Sequence, residues 1–244
     1  MVEGAELVRT AWAAGAVPES IYVAAEGAGD PDVAEVASMA EAAGVRVYEL
    51  APGVIGKVAD TVTPQPMMAV FAMVDVPLSS VAGRADLVVV LHDVRDPGNA
   101  GTVLRSADAA GAGAVVFSAG TVDPYNPKTV RASAGSLFHV PVVVEADTVA
   151  VLESLAGHGF RRLGAVVRDG QDYVSVDWGQ RTALVLGNEA AGLPGDLPLD
   201  GQVAIPMAGR AESLNVGVAC AVLCFEALRQ RRTSGQGRPR STMP

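Results

Sequence analysis

Several features that mark common classes of protein are scarce or missing in this chain of 244 residues. It has two cysteines, Cys220 and Cys224, four positions apart in one apolar stretch. This spacing suits two thiols on one side of a helix better than a disulfide framework or a metal site. No apolar run approaches the roughly 18 residues that a membrane span needs, and Glu3 and Glu6 interrupt the only candidate signal peptide. We therefore expect a cytoplasmic protein with no membrane segment and no metal.

Two common nucleotide-binding patterns are also missing. The chain contains neither the G-x-G-x-x-G fingerprint of dinucleotide-binding proteins nor a P-loop. A nucleotide-dependent oxidoreductase is therefore disfavoured. Aromatic residues make up only 5% of the sequence, which leaves few side chains for stacking on nucleic-acid bases; Tyr125 and Phe138 are the candidates.

Basic residues are outnumbered by acidic ones, 18 against 27, and the net charge is −9. Five of the basic residues and no acidic residue lie from Arg229 onward, which leaves 13 basic against 27 acidic residues in the rest. This balance argues against a polyanionic partner. Phosphate contacts, however, act over only about 8 to 10 Å, so a few local cations can bind nucleic acid. We expect residues 232–244 to form a basic, disordered tail.

The second half of the chain alternates apolar strands with helices. This alternation predicts an α/β fold with a parallel sheet covered by helices on both faces. Helices are predicted at 98–111, 147–157 and 213–231, and strands at 86–94, 114–120, 140–144, 161–167, 182–187 and 202–206.

The first 75 residues alternate in the same way on a smaller scale. They predict a small α/β domain over 1–75, with helices at 4–15 and 32–44 and strands at 20–25 and 46–50. A stretch rich in Pro, Ser, Gly and Asp predicts a linker at 76–85. The larger domain would then cover 86–231.

Polar residues stand out in three loops that follow predicted strands, at the edge of the sheet where ligands bind in parallel α/β proteins. The loop "RDPGNAGTVLRSAD" places Asn99 at the head of a helix and Arg105 six residues later. The loop "LGNEAAGLP" carries Glu189, and "IPMAGRAESLNVG" sets Ser213 and Asn215 ahead of an apolar helix. Taken singly, most have structural interpretations, such as helix caps for Asn99 and Ser213. Asn215, which would enter an apolar helix, needs partners there.

Together the patterns N-x5-R, G-N-E-x-x-G and S-L-N resemble motifs 1, 2 and 3 of the SpoU (TrmH-like) branch of the SPOUT RNA ribose 2'-O-methyltransferases. The resemblance spans residues 86–231 and includes the segment 126–142. It implies a deep trefoil knot at the C-terminal end of the sheet and a homodimer in which the partner chain completes each active site. The small first domain resembles the L30e-like RNA-binding domain of many members. It begins at "MVEGAELVRTA", which in similar proteins follows a leading helix and strand, so we expect it to be shortened.

The resemblance also implies S-adenosylmethionine as cofactor and assigns residues to three roles. Those expected against the cofactor are Ser118, Ala119, Gly120, Leu186, Gly187, Asn188, Ile205, Pro206, Met207 and Leu214. Those expected in catalysis are Asn99, Arg105, Glu189, Ser213 and Asn215. Those expected to contact RNA are Arg95, Lys128, Arg131 and Ser133.

Arg105 matches the family's catalytic arginine, which is often given the role of base. A guanidinium is essentially never deprotonated in a protein, so we expect Arg105 to bind a substrate phosphate and stabilise developing oxyanion charge. The other four residues would orient Arg105 and the ribose, with Glu189 paired to an arginine.

The expected activity is methyl transfer to a ribose 2'-hydroxyl of structured RNA, with ribosomal RNA favoured over transfer RNA. A transfer-RNA enzyme and a non-catalytic RNA-binding or assembly protein of the same fold remain as alternatives. No residue decides the nucleotide or a role in antibiotic resistance.

Overall fold

The computed structural model describes residues 1–59 and 61–234, and it contains two β-sheets. The predicted α/β fold with a large parallel sheet and a smaller preceding domain is confirmed. The larger domain contains these elements in chain order: α4 (Leu78–Ala82), β5 (Leu87–Leu91), α5 (Pro97–Ala109), β6 (Ala114–Phe117), α6 (Pro127–Ala132), β7 (Val142–Val144), α7 (Thr148–Gly157), β8 (Arg161–Val166), β9 (Gln171–Asp172), β10 (Thr182–Leu186), β11 (Gly201–Ala204) and α8 (Val216–Thr233).

All seven strands of the large sheet are parallel, in the order β7-β6-β5-β10-β8-β11-β9. The central strands β5 and β10 are buried along their whole length, because helices cover both faces of the sheet. Strand β10 lies between β5 and β8 although it follows both in the chain. Late segments therefore pass between earlier ones. The knot that the resemblance implies is compatible with this order and stays a prediction.

The small sheet has four strands in the order β1-β4-β2-β3. Strands β2 and β3 are parallel, and β4 is antiparallel to both β1 and β2. Valines of α1 and α2 and alternate residues of β2 and β4 belong to one buried cluster, so these helices cover one face of the sheet. The elements in chain order are β1 (Val2–Glu3), α1 (Ala5–Ala13), β2 (Ser20–Ala24), α2 (Pro31–Ala42), β3 (Arg46–Leu50), α3 (Ile55–Val58) and β4 (Met67–Val70).

The stretch predicted as a linker contains the helix α4, which packs into the core. Leu78, Val81 and Ala82 are buried against residues of β5 and β6. Their spacing of three and four places them on one face of a helical turn, a signal too short to outweigh the surrounding Pro, Ser and Gly in the sequence. The preceding residues are held as well, since Val76 N–H donates to Val142 O at 2.8 Å.

Helix α8 begins three residues later than predicted. Its N-cap is Asn215 rather than Ser213: Asn215 Oδ1 accepts from Gly217 N–H at 2.9 Å and Val218 N–H at 3.3 Å. Asn215 therefore does not enter the helix, and the expected conflict between its amide and an apolar helix does not arise. The helix continues to Thr233, into the predicted tail, whose residues 235–244 lie outside the described part of the chain.

The two cysteines lie on the buried side of α8 as free thiols, with their Sγ atoms 3.7 Å apart. Their mutual hydrogen bond and burial raise the pKa of Cys220. No helix among residues 1–59 and 61–234 is long and apolar enough to cross a membrane. The same residues contain no cluster of three or more His, Cys, Asp and Glu side chains that could hold a metal ion.

Candidate active site

A cavity of about 680 Å³ opens at the carboxyl edge of the large sheet. The ends of β8, β10 and β11 and the first turns of α8 enclose it. The three strands are parallel neighbours, and ligand crevices in such sheets form outside the carboxyl ends of the strands. Ten residues expected in the site reach this cavity: Asn99, Leu186, Gly187, Asn188, Glu189, Ile205, Met207, Ser213, Leu214 and Asn215.

Three side chains from three separate loops form a hydrogen-bonded chain at the cavity. Asn215 Nδ2 donates to Asn99 Oδ1 at 2.7 Å, and Asn99 Nδ2 donates to Glu189 Oε1 at 2.8 Å. Asn215 can donate because only its Oδ1 caps α8, which leaves its Nδ2 free. Asp96 caps α5 and accepts from Asn99 N–H, so the Asn99 side chain is not used as a cap. Glu189 is thus bonded to Asn99 and forms no ion pair with an arginine among the described residues, and its expected pairing with an arginine stays a prediction.

The loop that carries Glu189 is held by its neighbour Asn188. Asn188 Oδ1 accepts from the N–H groups of Ala190 and Ala191, both at 2.9 Å. Asn188 Nδ2 donates to Asp93, to its backbone oxygen at 2.9 Å and to its carboxylate at 3.1 Å. The Asn188 side chain is therefore fully used within the protein, and any cofactor contact from this residue falls to its backbone.

Asp93 joins two of the loops and has an unusual backbone conformation. Its φ is 54°, in the left-handed region that residues other than glycine rarely adopt. Its carboxylate accepts from Arg95 at 2.8 Å, and this hydrogen bond lowers the pKa of Asp93. The contacts from Arg95 and Asn188 offset the backbone strain.

Five residues expected in the site lie elsewhere. Ser118 lies away from the cavity, because it follows β6, and β5 separates β6 from β10. Its side chain is buried and bonded to Leu91 O and Thr148 Oγ1. Ala119 and Gly120 follow it on the same loop and, like Pro206, do not line the cavity. Gly120 has a φ of 72°, in the left-handed region, and a Cβ there would lie 2.4 Å from Asp93 Oδ1, so backbone conformation and packing both favour glycine.

Arg105 is the fifth. It is exposed on α5 and bonded to no described residue, and it does not line the cavity of its own chain. Six positions along a helix place it about 120° around the axis from Asn99. In a single protomer, Arg105 therefore points away from the hydrogen-bonded residues Asn215, Asn99 and Glu189.

The cations expected to contact RNA are already engaged with carboxylates. Arg95 pairs with Asp93, Lys128 with Asp96 at 3.5 Å, and Arg131 with Glu3 at 3.8 Å. All three side chains keep between 34% and 73% exposure, so they remain accessible to phosphate.

Three other residues considered for RNA contact are buried or half-buried. Ser133 is completely buried and donates to Val130 O, so its expected RNA contact was wrong. Tyr125 is bonded to the backbone of the segment between the domains, and Phe138 packs on Phe71, 5.5 Å between ring centroids. Both rings are half-buried and pack against the hydrophobic core.

One wall of the cavity was not predicted from the sequence. Ala165, Val166 and Val167 at the end of β8, together with Val203 of β11, line it. The predicted strand 161–167 was correctly recognised, and its end at the sheet's carboxyl edge was the signal that could have indicated these residues. Ala219 and Leu223 of α8 complete the apolar floor.

A cavity of this size at this edge of a parallel sheet, with amide and carboxylate groups gathered around apolar walls, is typical of the small-molecule sites of α/β proteins. Comparison with known proteins specifies the kind. Residues 86–225 match the SpoU rRNA Methylase family, and residues 1–69 match the MRM3-like substrate binding domain. The chain belongs to the SpoU rRNA methylase family, and the resemblance drawn from the three loops is confirmed.

Relatives and solved structures are similar over nearly the whole chain. The 23S rRNA (guanosine(2553)-2'-O)-methyltransferase RlmP of Bacillus subtilis is 35% identical over 92% of this chain and 86% of its own. The SpoU methyltransferase AviRb of Streptomyces viridochromogenes, solved with AdoMet, has a TM-score of 0.83 at 30% identity and covers 95% of this chain and 90% of its own. An AdoMet-bound rRNA methyltransferase of Sinorhizobium meliloti has a TM-score of 0.81 at 33% identity, with 95% and 86% covered.

Proposed function

We propose that this protein transfers a methyl group from S-adenosylmethionine to a ribose 2'-hydroxyl in structured RNA, with ribosomal RNA as the substrate class. The observation that carries the proposal is the chain from Asn215 through Asn99 to Glu189 at the mouth of the cavity. It joins the three loops whose sequences define the family. Both the B. subtilis and the S. meliloti relatives are named as rRNA methyltransferases, which favours ribosomal over transfer RNA.

The cavity fits the cofactor by size and by chemistry. Its volume lies within the range of about 300 to 1,000 Å³ typical of small-molecule sites. Leu186, Ile205 and Leu214 supply apolar walls for an adenine ring, and backbone groups of the surrounding loops can supply its hydrogen bonds. Gly187 allows the walls to close: a Cβ there would lie 2.5 Å from Gly192 O.

The bound cofactor supplies an electrophilic methyl group on a sulfonium, so the protein must chiefly align the ribose hydroxyl with it. Asn99 holds Glu189 through Oε1, and Glu189 Oε2 makes no hydrogen bond to a described residue. We assign Glu189 Oε2 as the acceptor of a hydrogen bond from the 2'-hydroxyl, which orients the hydroxyl and helps to remove its proton. Asn215 fixes Asn99 from the other side. Ser213 faces the same cavity and can bond the ribose.

Arg105 would act from the partner chain of a homodimer. Its position outside its own chain's cavity supports this arrangement, since an arginine that binds the substrate phosphate must reach the site by another route. Helix α8 supplies a surface for the dimer: Val218 and Phe225 are 46% and 48% exposed, and Val222 lies between them on the same face. Apolar residues at this helical spacing are typical of a face that packs against another chain.

The cellular location follows from the substrate. Ribosomal RNA is modified where ribosomes assemble, and we therefore assign the protein to the cytoplasm.

Calorimetric titration with S-adenosylmethionine, with NADH as control, tests the proposal at its first step. Saturable binding of S-adenosylmethionine alone is expected. Incubation with rRNA and mapping of 2'-O-methyl sites then separates the enzyme from the non-catalytic alternative. Cofactor binding without methylation of either rRNA or tRNA by the folded dimer would contradict the proposed activity.

A matched pair of variants tests the role of Glu189. Glu189→Gln keeps the shape and the bond to Asn99 but removes the negative charge, and we expect turnover to fall about 10- to 100-fold or more. Asp196→Asn removes a charge from an exposed loop residue without an ion pair among the described residues and should leave turnover unchanged. Equal activity of Glu189→Gln and the parent protein would remove Glu189 from the mechanism.

A further inference from the structure

The small sheet carries two stacked tyrosines on the face that α1 and α2 leave uncovered. Tyr22 of β2 and Tyr48 of β3 are directly paired, with ring centroids 5.2 Å apart and planes 17° from parallel. Strand β3 forms the edge of the sheet, so no strand covers the outward side of the Tyr48 ring. Tyr48 is 41% exposed, which is unusual for an aromatic ring in a strand and leaves one of its faces open.

The alternation of side chains along the strands determines which face this is. Ile21 and Val23, on either side of Tyr22, are buried in the cluster that includes the valines of α1 and α2. Tyr22 therefore points to the opposite face. Helix α3 covers only part of that face, where Ile55 packs on Ala24 and Met68. The end that holds Tyr48 stays open.

Charge is divided between the two faces of this domain. Residues 1–69 contain ten acidic and three basic residues, so the domain as a whole repels RNA. Arg9, on the helical side, is bonded to Glu6, Asp32 and Glu35 at once. Arg46, two positions before Tyr48 and on the same face, makes no ion pair or side-chain hydrogen bond with any described residue.

A row of side chains on this face runs from the open end at Tyr48 towards the catalytic domain. Glu3, Met68, Tyr22 and Tyr48 are paired in one row across the four strands. The Glu3 side chain is only 7% exposed and holds Arg131 of α6. The row therefore has a cation at each end, Arg131 at the catalytic domain and Arg46 beside Tyr48, and its one carboxylate is buried.

We propose that this face binds an unpaired nucleotide of the RNA, with the base stacked on the outer side of Tyr48 and the adjacent phosphate bound by Arg46. The inference rests on the proposed function, because it gives the RNA substrate a second contact away from the cavity. Aromatic rings stack on any base, and a free guanidinium binds phosphate through paired N–H groups. The contact selects single-stranded segments, since bases inside a duplex cannot reach the ring.

A purely structural role for the tyrosine pair makes different predictions from a binding role. A cross-strand aromatic pair stabilises a sheet whether or not the ring face is open, and it has no dependence on RNA. A binding role requires an aromatic ring at position 48 but no hydroxyl. Tyr48→Phe and Tyr48→Val therefore separate the two, since both keep strand propensity and only the first keeps a ring.

The test measures binding of the full-length protein to two probes, a single-stranded oligoadenylate of about 12 nucleotides and a paired RNA duplex of equal length. We expect Tyr48→Val to weaken oligoadenylate binding about 5- to 100-fold at every salt concentration, with Tyr48→Phe unchanged and the duplex unaffected. Arg46→Gln should lower the slope of log affinity against log salt by about 0.7 for the single strand. Arg84→Gln, an exposed arginine of the other domain, is the matched control and should leave the slope unchanged.

Equal oligoadenylate binding by Tyr48→Val and the parent protein would overturn the proposal. A loss shared by Tyr48→Val and Tyr48→Phe, together with a lowered melting temperature, would give the pair a structural role and overturn it as well. The methylation assay keeps this outcome separate from the enzyme's activity. If the parent methylates rRNA, Tyr48→Val should raise KM for that RNA and leave kcat and S-adenosylmethionine binding unchanged. If the parent methylates no RNA, the proposed function fails, whereas the oligoadenylate comparison still decides the role of Tyr48.

Discussion

The two sheets of this molecule place their functional groups in different ways. The seven-stranded sheet is covered on both faces and offers only its carboxyl edge, where the cavity and the chain from Asn215 to Glu189 lie. The four-stranded sheet is covered on one face by α1 and α2 and only partly on the other, by α3, which leaves the stacked tyrosines at the open end. A fully covered sheet can bind a ligand only where its strands end, whereas a half-covered sheet can bind one across its strands.

The contrast extends to charge and to tolerance of change. In the larger domain every cation expected to contact RNA is paired with a carboxylate, and the edge site is built from a few side chains held by hydrogen bonds. On the open face Arg46 has no carboxylate partner among the described residues, and binding there depends on a ring and a charge rather than on a fixed geometry. Changes at the edge should therefore affect turnover, and changes away from it should affect affinity or stability.

The largest effect is expected at Arg105. Arg105→Ala should lower turnover by about 100-fold or more and leave the S-adenosylmethionine dissociation constant nearly unchanged, because the side chain is assigned to the substrate phosphate and not to the cofactor. Single-turnover kinetics and calorimetry measure the two quantities. Arg84→Ala removes another exposed arginine and should leave both turnover and the S-adenosylmethionine dissociation constant unchanged. Loss of cofactor binding in Arg105→Ala would contradict the assigned role and weaken the division between edge and face.

Tyr125 tests the connection between the two regions. Its hydroxyl accepts from Val74 N–H at 2.9 Å and Asp75 N–H at 2.8 Å and donates to the Asp75 carboxylate at 2.6 Å. Burial raises the pKa of Tyr125 to about 12, so the donated proton stays in place at neutral pH. Tyr125→Phe should lower the free energy of unfolding by about 1 to 3 kcal/mol in urea titrations. Tyr173→Phe serves as control, because the Tyr173 hydroxyl bonds no described residue. An equal loss of unfolding free energy in both variants would show that the hydrogen bonds of the Tyr125 hydroxyl are not its cause.

Asp200 tests the stability of the large sheet against pH. Arg162 donates to both carboxylate oxygens, at 2.8 and 2.6 Å, and lowers the pKa of Asp200. A lowered folded-state pKa contributes stability above the ordinary value of 3.8 that is lost as pH falls through the folded-state pKa. Because the carboxylate is partly exposed, Asp200→Asn should cost less than about 1 kcal/mol at pH 7.

The same variant should approach the parent's stability as the pH falls below about 4. Urea unfolding at pH 7 and in the acid range measures both values. Asp196→Asn, which removes an exposed carboxylate without an ion pair to the described residues, should show no such pH dependence. If the difference in unfolding free energy between Asp200→Asn and the parent stayed constant into the acid range, the Arg162–Asp200 ion pair would not be its cause.

The smallest effect is expected at Thr129 of α6, next to the small sheet. Its Oγ1 is buried without a hydrogen-bond partner in the described part of the chain, and this desolvation is unfavourable. Thr129→Val should therefore leave the free energy of unfolding unchanged or raise it by up to about 1 kcal/mol. Thr182→Val provides the contrast, because Thr182 Oγ1 donates to Gln180 O at 2.9 Å and its loss should destabilise. Destabilisation of equal size at both positions would show that Thr129 has a partner after all.

The sequence predicted the large sheet well because its strands are buried on both faces and their apolar runs are unambiguous. It also identified the cavity residues Glu189, Asn99 and Asn215, since polar groups stand out after such strands. The small sheet was harder: β1 and β4 are short, and their pairing depends on contacts between residues more than 60 positions apart. Local pattern carries no information on such pairing.

Residue roles were less predictable than residue positions. Asn215 was expected inside the helix, and it is the helix cap. The backbone conformation of that single residue decides between the two, and the sequence pattern does not reveal it. Ser133 and Ser118 looked like site residues by motif, yet both are buried and bonded to backbone oxygens. Burial depends on which helix packs above each loop. That arrangement follows from the strand order, which a linear sequence does not display.

The cap at Asn215 makes the first turn of α8 an internal reporter of the site. The same side chain accepts from the amide groups of Gly217 and Val218 and donates to Asn99. Opening of that turn and disassembly of the hydrogen-bonded chain are therefore one local unfolding event. Hydrogen–deuterium exchange at those two amides follows its population, and a ligand that binds only the assembled form slows the exchange in proportion to its occupancy. The protein's own backbone thus records how often the site is ready for chemistry, without any turnover.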